Sequence, residues 1–462
     1  MVRIVLTGFR GTGKTRVGEL LAHMLGVPFI DTDALIEKHV GMTIYEIFQK
    51  HGEEYFRKKE CETIASLKLA DSVVSTGGGA IMNPSNVAAL RQGSTVFLLT
   101  ADDRTVEQRI SRTERPSLTK LPLREEIHEL QVIRRPFYIA AADFCINTTR
   151  KNANETAMVI RHILAEGTST LKDTSSLLSF VRRTTIAPEE ADALERTLTS
   201  PGRDPLTRIY AVAGNPCNHS LSPILFNRLF SQYRMNCHYT RLCWPDFGEI
   251  IREAKKIDIR GLSVTIPFKN EALACIGEAD EHVEAIGAAN TLVMCEGTIF
   301  GFNTDWTGIR DPVSHLKGSR AAVLGAGGAA AAAVYALQSL DMDVTIFTRS
   351  PAKADDLSAR FSVQVKPLSG ISETNPDVII NATPVGMGSD TRSPVDVSML
   401  KQGMTVYDLV YTPADTPLLK AARKAGCITI PGTEMFVGQA CAQFRCFTGI
   451  EVPPAIVRGY VI

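Results

Sequence analysis

Gly8-Phe9-Arg10-Gly11-Thr12-Gly13-Lys14-Thr15 and Gly325-Ala326-Gly327-Gly328-Ala329-Ala330 are glycine-rich loops of two different kinds, one in each half of a single chain. The first fits G-x-x-x-x-G-K-[ST], in which successive backbone N–H groups converge on phosphate oxygens at a helix N-terminus. Gly11, Thr12, Gly13, Lys14 and Thr15 are its candidate ATP contacts, with the Thr15 hydroxyl directed to Mg²⁺. The second fits the dinucleotide pattern with alanine in the last place, which makes Gly325, Ala326, Gly327, Gly328 and Ala329 candidates for holding a pyrophosphate. Each loop follows a short apolar run, Arg3-Ile4-Val5-Leu6 and Arg320-Ala321-Ala322-Val323-Leu324. Two such loops imply two chemistries, so the chain reads as a bifunctional enzyme.

Outward from the loops, short apolar runs alternate with helical patterns. Thr15 to Leu25 carries Val17, Leu20, Leu21, Met24 and Leu25 on one face, and Ser72 to Ser75 and Thr95 to Leu99 read as strands. The alternation resumes at Ile209, and Asp343 to Phe347, Asp377 to Ile380 and Thr405 to Asp408 follow as later strands. This is α/β architecture built on parallel sheets. Between the halves the texture turns to Ser, Thr, Pro and Gly, so 166–207 reads as a linker.

The bulk numbers narrow the class. At 462 residues, with 44% hydrophobic and 22% charged content, the chain suits several globular domains. Fifty basic residues balance fifty acidic ones, so no overall field points to nucleic acid or an anionic membrane. The ten cysteines form no C-x-x-C pair and read as reduced thiols. Met1 runs straight into the first strand, which leaves no room for a signal or transit peptide, and a cytoplasmic enzyme is expected.

In the first half Asp31-Thr32-Asp33 ends a strand with two carboxylates on one side of the extended chain, although a D-x-D pair also suits a helix cap. Phe56-Arg57-Lys58-Lys59-Glu60, Gly77-Gly78-Gly79, Arg115-Pro116 and Arg134-Arg135-Pro136-Phe137-Tyr138 follow. In this order the motifs resemble shikimate kinase over residues 1–165. The resemblance implies that Asp33, Arg57, Gly78, Gly79 and Arg134 hold shikimate, the two arginines clamping its carboxylate. It further implies that Asp31 helps place Mg²⁺ and that Arg115 meets the transferring phosphoryl group. Arg109 is expected near the nucleotide base, and Arg124, Glu125, Glu126 and Glu129 on a solvated helix face.

In the second half His219-Ser220-Leu221-Ser222-Pro223, Gly261-Leu262-Ser263-Val264-Thr265-Ile266-Pro267-Phe268-Lys269, Gly287-Ala288-Ala289-Asn290-Thr291 and Asn303-Thr304-Asp305 precede the dinucleotide loop. With Asn381-Ala382-Thr383, Tyr407 to Tyr411 and Gly432-Thr433-Glu434-Met435 behind it, the series resembles shikimate dehydrogenase across residues 208–462. That implies shikimate contacts at Ser220, Ser222, Thr265, Lys269, Asn290, Asp305 and Gln439, with Lys269 and Asp305 as the catalytic pair. Thr383, Leu409 and Gly432 would line the cofactor cleft. Ser263 departs from the family's usual asparagine before V-T. The end of the second strand after the loop holds Thr348-Arg349-Ser350 and then Lys353, where an NAD enzyme carries an acid, so NADP(H) is favoured.

The expected organisation is therefore a P-loop kinase domain at 1–165, with helices on both faces of its sheet. A linker at 166–207 leads to a two-lobed dehydrogenase. Its substrate lobe spans 208–310, its Rossmann NADP lobe 311–432, and C-terminal helices at 433–462 return to the substrate lobe. The expected reactions are reduction of 3-dehydroshikimate by NADPH and phosphorylation of shikimate by MgATP. Two alternatives are a quinate-type dehydrogenase fused to a related small-molecule kinase, and a kinase half that only senses ATP or shikimate. Arg349 weighs against the first; Lys14, Asp31, Asp33 and Arg115 weigh against the second.

Overall fold

The computed structural model describes residues 3–68, 70–111, 121–166, 207–217, 220–256, 258–295 and 297–461, with a few helical positions between 179 and 196. Most of the expected linker lies outside the described residues, as do Arg115 and His219.

The first sheet takes β1 (Arg3–Thr7), β2 (Phe29–Asp31), β3 (Ser72–Ser75), β4 (Thr95–Thr100) and β5 (Phe144–Asn147) in the order β2-β3-β1-β4-β5, all parallel. Arg3–Thr7 is buried along its whole length, which is why its middle, Ile4-Val5-Leu6, reads as an unbroken apolar run. The Lys14–Leu25 helix buries Val17, Leu21 and Ala22 against this sheet and ends at Gly26 in the left-handed conformation.

A second, mixed sheet takes β6 (Arg208–Gly214), β7 (Cys237–Cys243), β8 (Ile259–Val264), β9 (Glu278–Ala279), β10 (Thr291–Cys295) and β11 (Thr298–Phe302) in the order β7-β6-β8-β10-β11-β9. The third sheet is built out from β12 (Arg320–Leu324) and its neighbour β13 (Asp343–Thr348). With β14 (Gln364–Pro367), β15 (Val378–Asn381), β16 (Thr405–Asp408) and β17 (Ile428–Ile430) it runs β14-β13-β12-β15-β16-β17, all parallel. That strand order is the doubly wound dinucleotide-binding arrangement, with its crevice at the C-terminal ends of the central strands.

The two halves share a core. The Leu123–Ala141 helix of the first half packs on the Gly432–Thr448 helix of the second. One apolar cluster runs from Val87, Ile127 and Ile139 to Tyr210, Phe226, Phe444 and Phe447. At its edge the buried Asp143 accepts from Arg91 at 2.8 Å, from the Val96 N–H at 2.8 Å and from Arg208 of β6. Arg208 therefore completes a charge cluster that belongs otherwise to the first half. Removing the one carboxylate leaves two buried guanidiniums uncompensated, at a cost of about 3–5 kcal/mol. Asp143→Ala should accordingly lower the thermal transition of the whole chain and carry both activities down together. Loss of one activity alone in such a melt would refute the shared core.

Two disulfides correct the expectation of reduced thiols. Cys145 of β5 pairs with Cys295 of β10, and Cys217 with Cys243, across sequence separations of 150 and 26 residues. Neither spacing forms a motif; the fold brings the Cα atoms to 6.4 and 5.6 Å. Among the described residues no helix is long and apolar enough to cross a membrane.

Candidate active sites

The P-loop joins β1 to the Lys14–Leu25 helix, so its backbone donors gather at a helix N-terminus. The Lys14 ammonium lies back over the loop, donating to the carbonyls of Gly8 at 2.8 Å and Phe9 at 3.0 Å. The Thr15 hydroxyl donates to Asp31 Oδ2 at 2.9 Å. A hydroxyl and a carboxylate from different elements thus meet beside the loop, a pair of hard oxygens that fits Mg²⁺. The other oxygen of Asp31 caps the helix that follows, accepting from Asp33 N–H at 3.0 Å and Ala34 N–H at 3.3 Å. Asp31 is therefore a helix cap and also faces the loop.

Asp33, Arg57 and the glycine run converge on the same end of the sheet. A Cβ at Gly77 would lie 2.6 Å from Asp33 Oδ1, and one at Gly79 would lie 2.5 Å from Arg57 Nη1, so side chains there would close the space. Arg57 is held by Glu60 at 3.0 Å and Glu53 at 3.0 Å. Glu60 is buried, and burial pushes its carboxyl above the usual range in spite of Arg57. Arg134 lies 3.5 Å from the Gly78 carbonyl, and the Tyr138 hydroxyl donates to the same oxygen. Burial raises the Tyr138 phenol to about 12, so it stays a donor. Arg109 donates to the Gly11 carbonyl at 3.2 Å and to Thr148, which sets it against the P-loop.

One expectation fails here. Glu126 is not on a solvated face; it is fully buried and paired with Arg10 of the P-loop. Its helix packs inward along that stripe, and the sequence showed only a run of charges. Glu60 was visible in F-R-x-x-E, and its i,i+3 spacing on the Ile44–Ala65 helix is the one that lets it hold Arg57.

In the second half Lys269 donates to Asp305 Oδ2 at 2.5 Å. Lys269 leaves the end of β8 through Ile266-Pro267, and its own carbonyl accepts from Ala289 N–H at 2.9 Å, which ties it to the start of β10. Asp305 opens the Asp305–Val313 helix and is 3% exposed. Its other oxygen accepts from Asn290 Nδ2 at 2.8 Å. Asn290 also donates to Thr304 Oγ1 at 2.9 Å and accepts from Thr304 N–H at 2.8 Å, so its amide is committed to fixing Asp305 and its loop. The helix bearing Asp305 crosses the one bearing Gln439 at a glycine pair. A Cβ at Gly308 would lie 2.4 Å from the Met435 carbonyl, and one at Gly438 would lie 2.7 Å from the Gly308 Cα. Larger residues would push Gln439 away from Asp305. Ser220 and Ser222 stand where β6 gives way to the Ser222–Gln232 helix, with Ser222 buried, and Thr265 follows β8.

The dinucleotide loop leaves β12 at Gly325 and enters the Gly328–Gln338 helix. A Cβ at Gly325 would lie 3.0 Å from the Ala382 carbonyl, so glycine lets the loop pass close against the strand end that carries Thr383. Thr383 is fixed across this loop by Asn381, which is itself held by the buried Asp408 at 2.8 Å. Burial raises the Asp408 carboxyl, opposed by its bonds to Thr416, Val410 and Asn381. Gly432 packs against the Val410 carbonyl next to Leu409. Thr348 ends β13, next to the loop in the sheet; Arg349 and Ser350 follow it exposed. An exposed guanidinium and hydroxyls at that edge suit a 2′-phosphate.

Comparison with known proteins identifies the families that the two halves match. Residues 10–165 match the shikimate kinase family. Residues 212–292 match the shikimate dehydrogenase substrate binding domain, 309–409 the shikimate / quinate 5-dehydrogenase family and 432–459 the shikimate 5'-dehydrogenase C-terminal domain. The chain is 36% identical to the shikimate dehydrogenase (NADP(+)) of Chlorobium phaeovibrioides over 281 residues, covering 56% of this chain and 97% of that one. It superposes on shikimate 5-dehydrogenase from Thermus thermophilus, solved with NADP(H) and shikimate, with TM-score 0.52 and 30% identity, covering 55% of this chain and 98% of that one. A quinate dehydrogenase from Corynebacterium glutamicum, solved with NAD, superposes with TM-score 0.52 and 28% identity, with 55% and 98% covered.

Proposed function

The chain belongs to the shikimate dehydrogenase family and carries a shikimate kinase domain ahead of it, and from that premise we propose how its residues divide the work. The protein is a bifunctional enzyme, an NADP-dependent shikimate dehydrogenase and an ATP-dependent shikimate kinase. We assign the kinase to 1–165, the substrate lobe to 208–310, the NADP lobe to 311–432 and the returning helices to 433–462. Nothing in the balanced charge suggests a nucleic-acid or membrane partner, and a cytoplasmic setting fits small-molecule substrates.

The Lys269–Asp305 contact carries the dehydrogenase reading. NADPH, when bound on the Gly325 loop, supplies a hydride to the ketone carbon of 3-dehydroshikimate. Lys269 delivers a proton to the ketone oxygen, and Asp305, held by Asn290, keeps the ammonium aimed at it. Ser220, Ser222, Thr265 and Gln439 orient the ring. The hydroxyl so made is the one the other half phosphorylates. There Arg57 and Arg134 clamp the carboxylate, Asp33 accepts from that hydroxyl, and Lys14 and Arg115 meet charge on the transferring phosphoryl group. The Thr15–Asp31 contact and the placed Lys14 favour a working kinase over an ATP sensor.

Choice of NADPH is read at Arg349. Arg349→Ala should weaken NADPH by about 2–3 kcal/mol, roughly 30- to 150-fold in KM, and leave NADH use nearly unchanged. Equal losses with both cofactors would transfer that role elsewhere and reopen the quinate-type alternative.

A further inference from the structure

The Leu123–Ala141 helix carries Arg134, one of the two arginines assigned to the shikimate carboxylate, in the turn that runs into Pro136. A proline inside a helix gives no N–H to the carbonyl four residues back, here Val132, so this turn lacks one of its own supports. Val132 and Ile133 are 58% and 50% exposed, so packing within the kinase half does little to hold it. Arg134 itself reaches the Gly78 carbonyl at 3.5 Å and lies 6.0 Å from the centre of the Phe9 ring. Both distances are at the outer limit of such contacts.

Closer contacts come from the other half of the chain. Arg135 Nη2 meets Glu278 Oε1 at 3.0 Å, and the same guanidinium lies 5.3 Å from the centre of the Phe300 ring. Glu278 of β9 and Phe300 of β11 are paired in register, so the β9 end of the second sheet presents a carboxylate and a ring side by side. Beyond the proline, Arg445 of the Gly432–Thr448 helix lies 5.6 Å from the centre of the Phe137 ring. Arg135 and Phe137 thus flank Pro136, and the dehydrogenase half holds both.

We propose that Arg135 is a positioning residue for the kinase reaction. By docking on Glu278 and Phe300 it braces the proline-weakened turn, so the dehydrogenase half sets the orientation of Arg134 and with it the kinase's affinity for shikimate. The proposal rests on the assignment of Arg134 to the kinase's shikimate site. Without the brace the turn spends part of its time with Arg134 away from the carboxylate. Apparent affinity then falls with the fraction of chains that keep the competent arrangement. The Arg135–Glu278 pair is about half exposed, so the effect is a matter of a few-fold.

The test is steady-state phosphorylation of shikimate by the full chain, with Glu278→Gln, Arg135→Ala, Arg135→Lys, Arg134→Ala and the double Glu278→Gln/Arg134→Ala. Glu278→Gln should raise the kinase KM for shikimate about threefold, and Arg135→Ala, which loses the ring contact as well, about tenfold. Arg135→Lys keeps a cation for Glu278 and Phe300 and should stay within about twofold of the parent. In these three variants the kinase kcat, the KM for ATP and the dehydrogenase kinetics should hold within about twofold. Charge alone predicts the opposite sign for Glu278→Gln, because removing an anion near the Arg134 turn makes the field there more attractive to a carboxylate. An unchanged or lowered KM in Glu278→Gln, beside a raised KM in Arg134→Ala, therefore overturns the proposal. So does a fall in kcat or in dehydrogenase turnover alongside the KM, which would mark a general loosening of the fold. The Glu278→Gln effect should vanish in the Arg134→Ala background, and its persistence there also overturns the proposal. An unchanged KM in Arg134→Ala would instead remove the site assignment, and the proposal with it.

Discussion

Lys269→Met should lower the dehydrogenase kcat by roughly 10²–10⁴ while changing the KM for shikimate only modestly. The substitution keeps length and removes the charge. The proton donor is lost, and Asp305, buried and 2.5 Å from the ammonium in the parent, keeps Asn290 as its side-chain partner among the described residues. The loss falls on turnover because the proton moves in the transition state, whereas the ring is held by other groups. Asp305→Asn should fall in the same range, since a neutral amide no longer holds the ammonium. Steady-state kinetics in both directions would read this, with kinase turnover in the same preparation reporting folding. Near-normal kcat in Lys269→Met would mean that the lysine is an ordinary surface cation.

Lys14→Ala is expected to reduce shikimate phosphorylation by about 10³, through loss of a cation that follows charge onto the γ-phosphate. The dehydrogenase should run near its parent rate in the same molecule, because Lys14 lies over its own loop, donating to the carbonyls of Gly8 and Phe9. The contrast with Asp143→Ala matters here. One variant strikes a single site and the other the core that both halves share. A Lys14→Ala chain that keeps its fold and loses both activities would contradict two separate sites.

The parts legible in the sequence were those written in local order. Each nucleotide loop lies between a strand and a helix, so Gly8–Thr15 and Gly325–Ala330 announced their folds, and the strands leading into them carry apolar runs behind a single arginine. Lys269 and Asp305 are far apart in the chain and were joined only through family resemblance; the structure supplies the contact. What escaped was long-range and unpatterned. The burial of Glu126 under Arg10 depends on which stripe of a charged helix turns inward. The Asp143 cluster draws Arg91, Asp143 and Arg208 from three elements, and no spacing links them. The Cys145–Cys295 disulfide is hidden for the same reason.

Supplying the purified full chain with 3-dehydroshikimate, NADPH and MgATP tests the central claim most directly. Shikimate 3-phosphate should form with one NADPH oxidised and one ADP released per molecule, and Lys14→Ala should stop the sequence at shikimate. Oxidation of NADPH with shikimate accumulating in the parent chain, and no ADP formed, would contradict the two-step account.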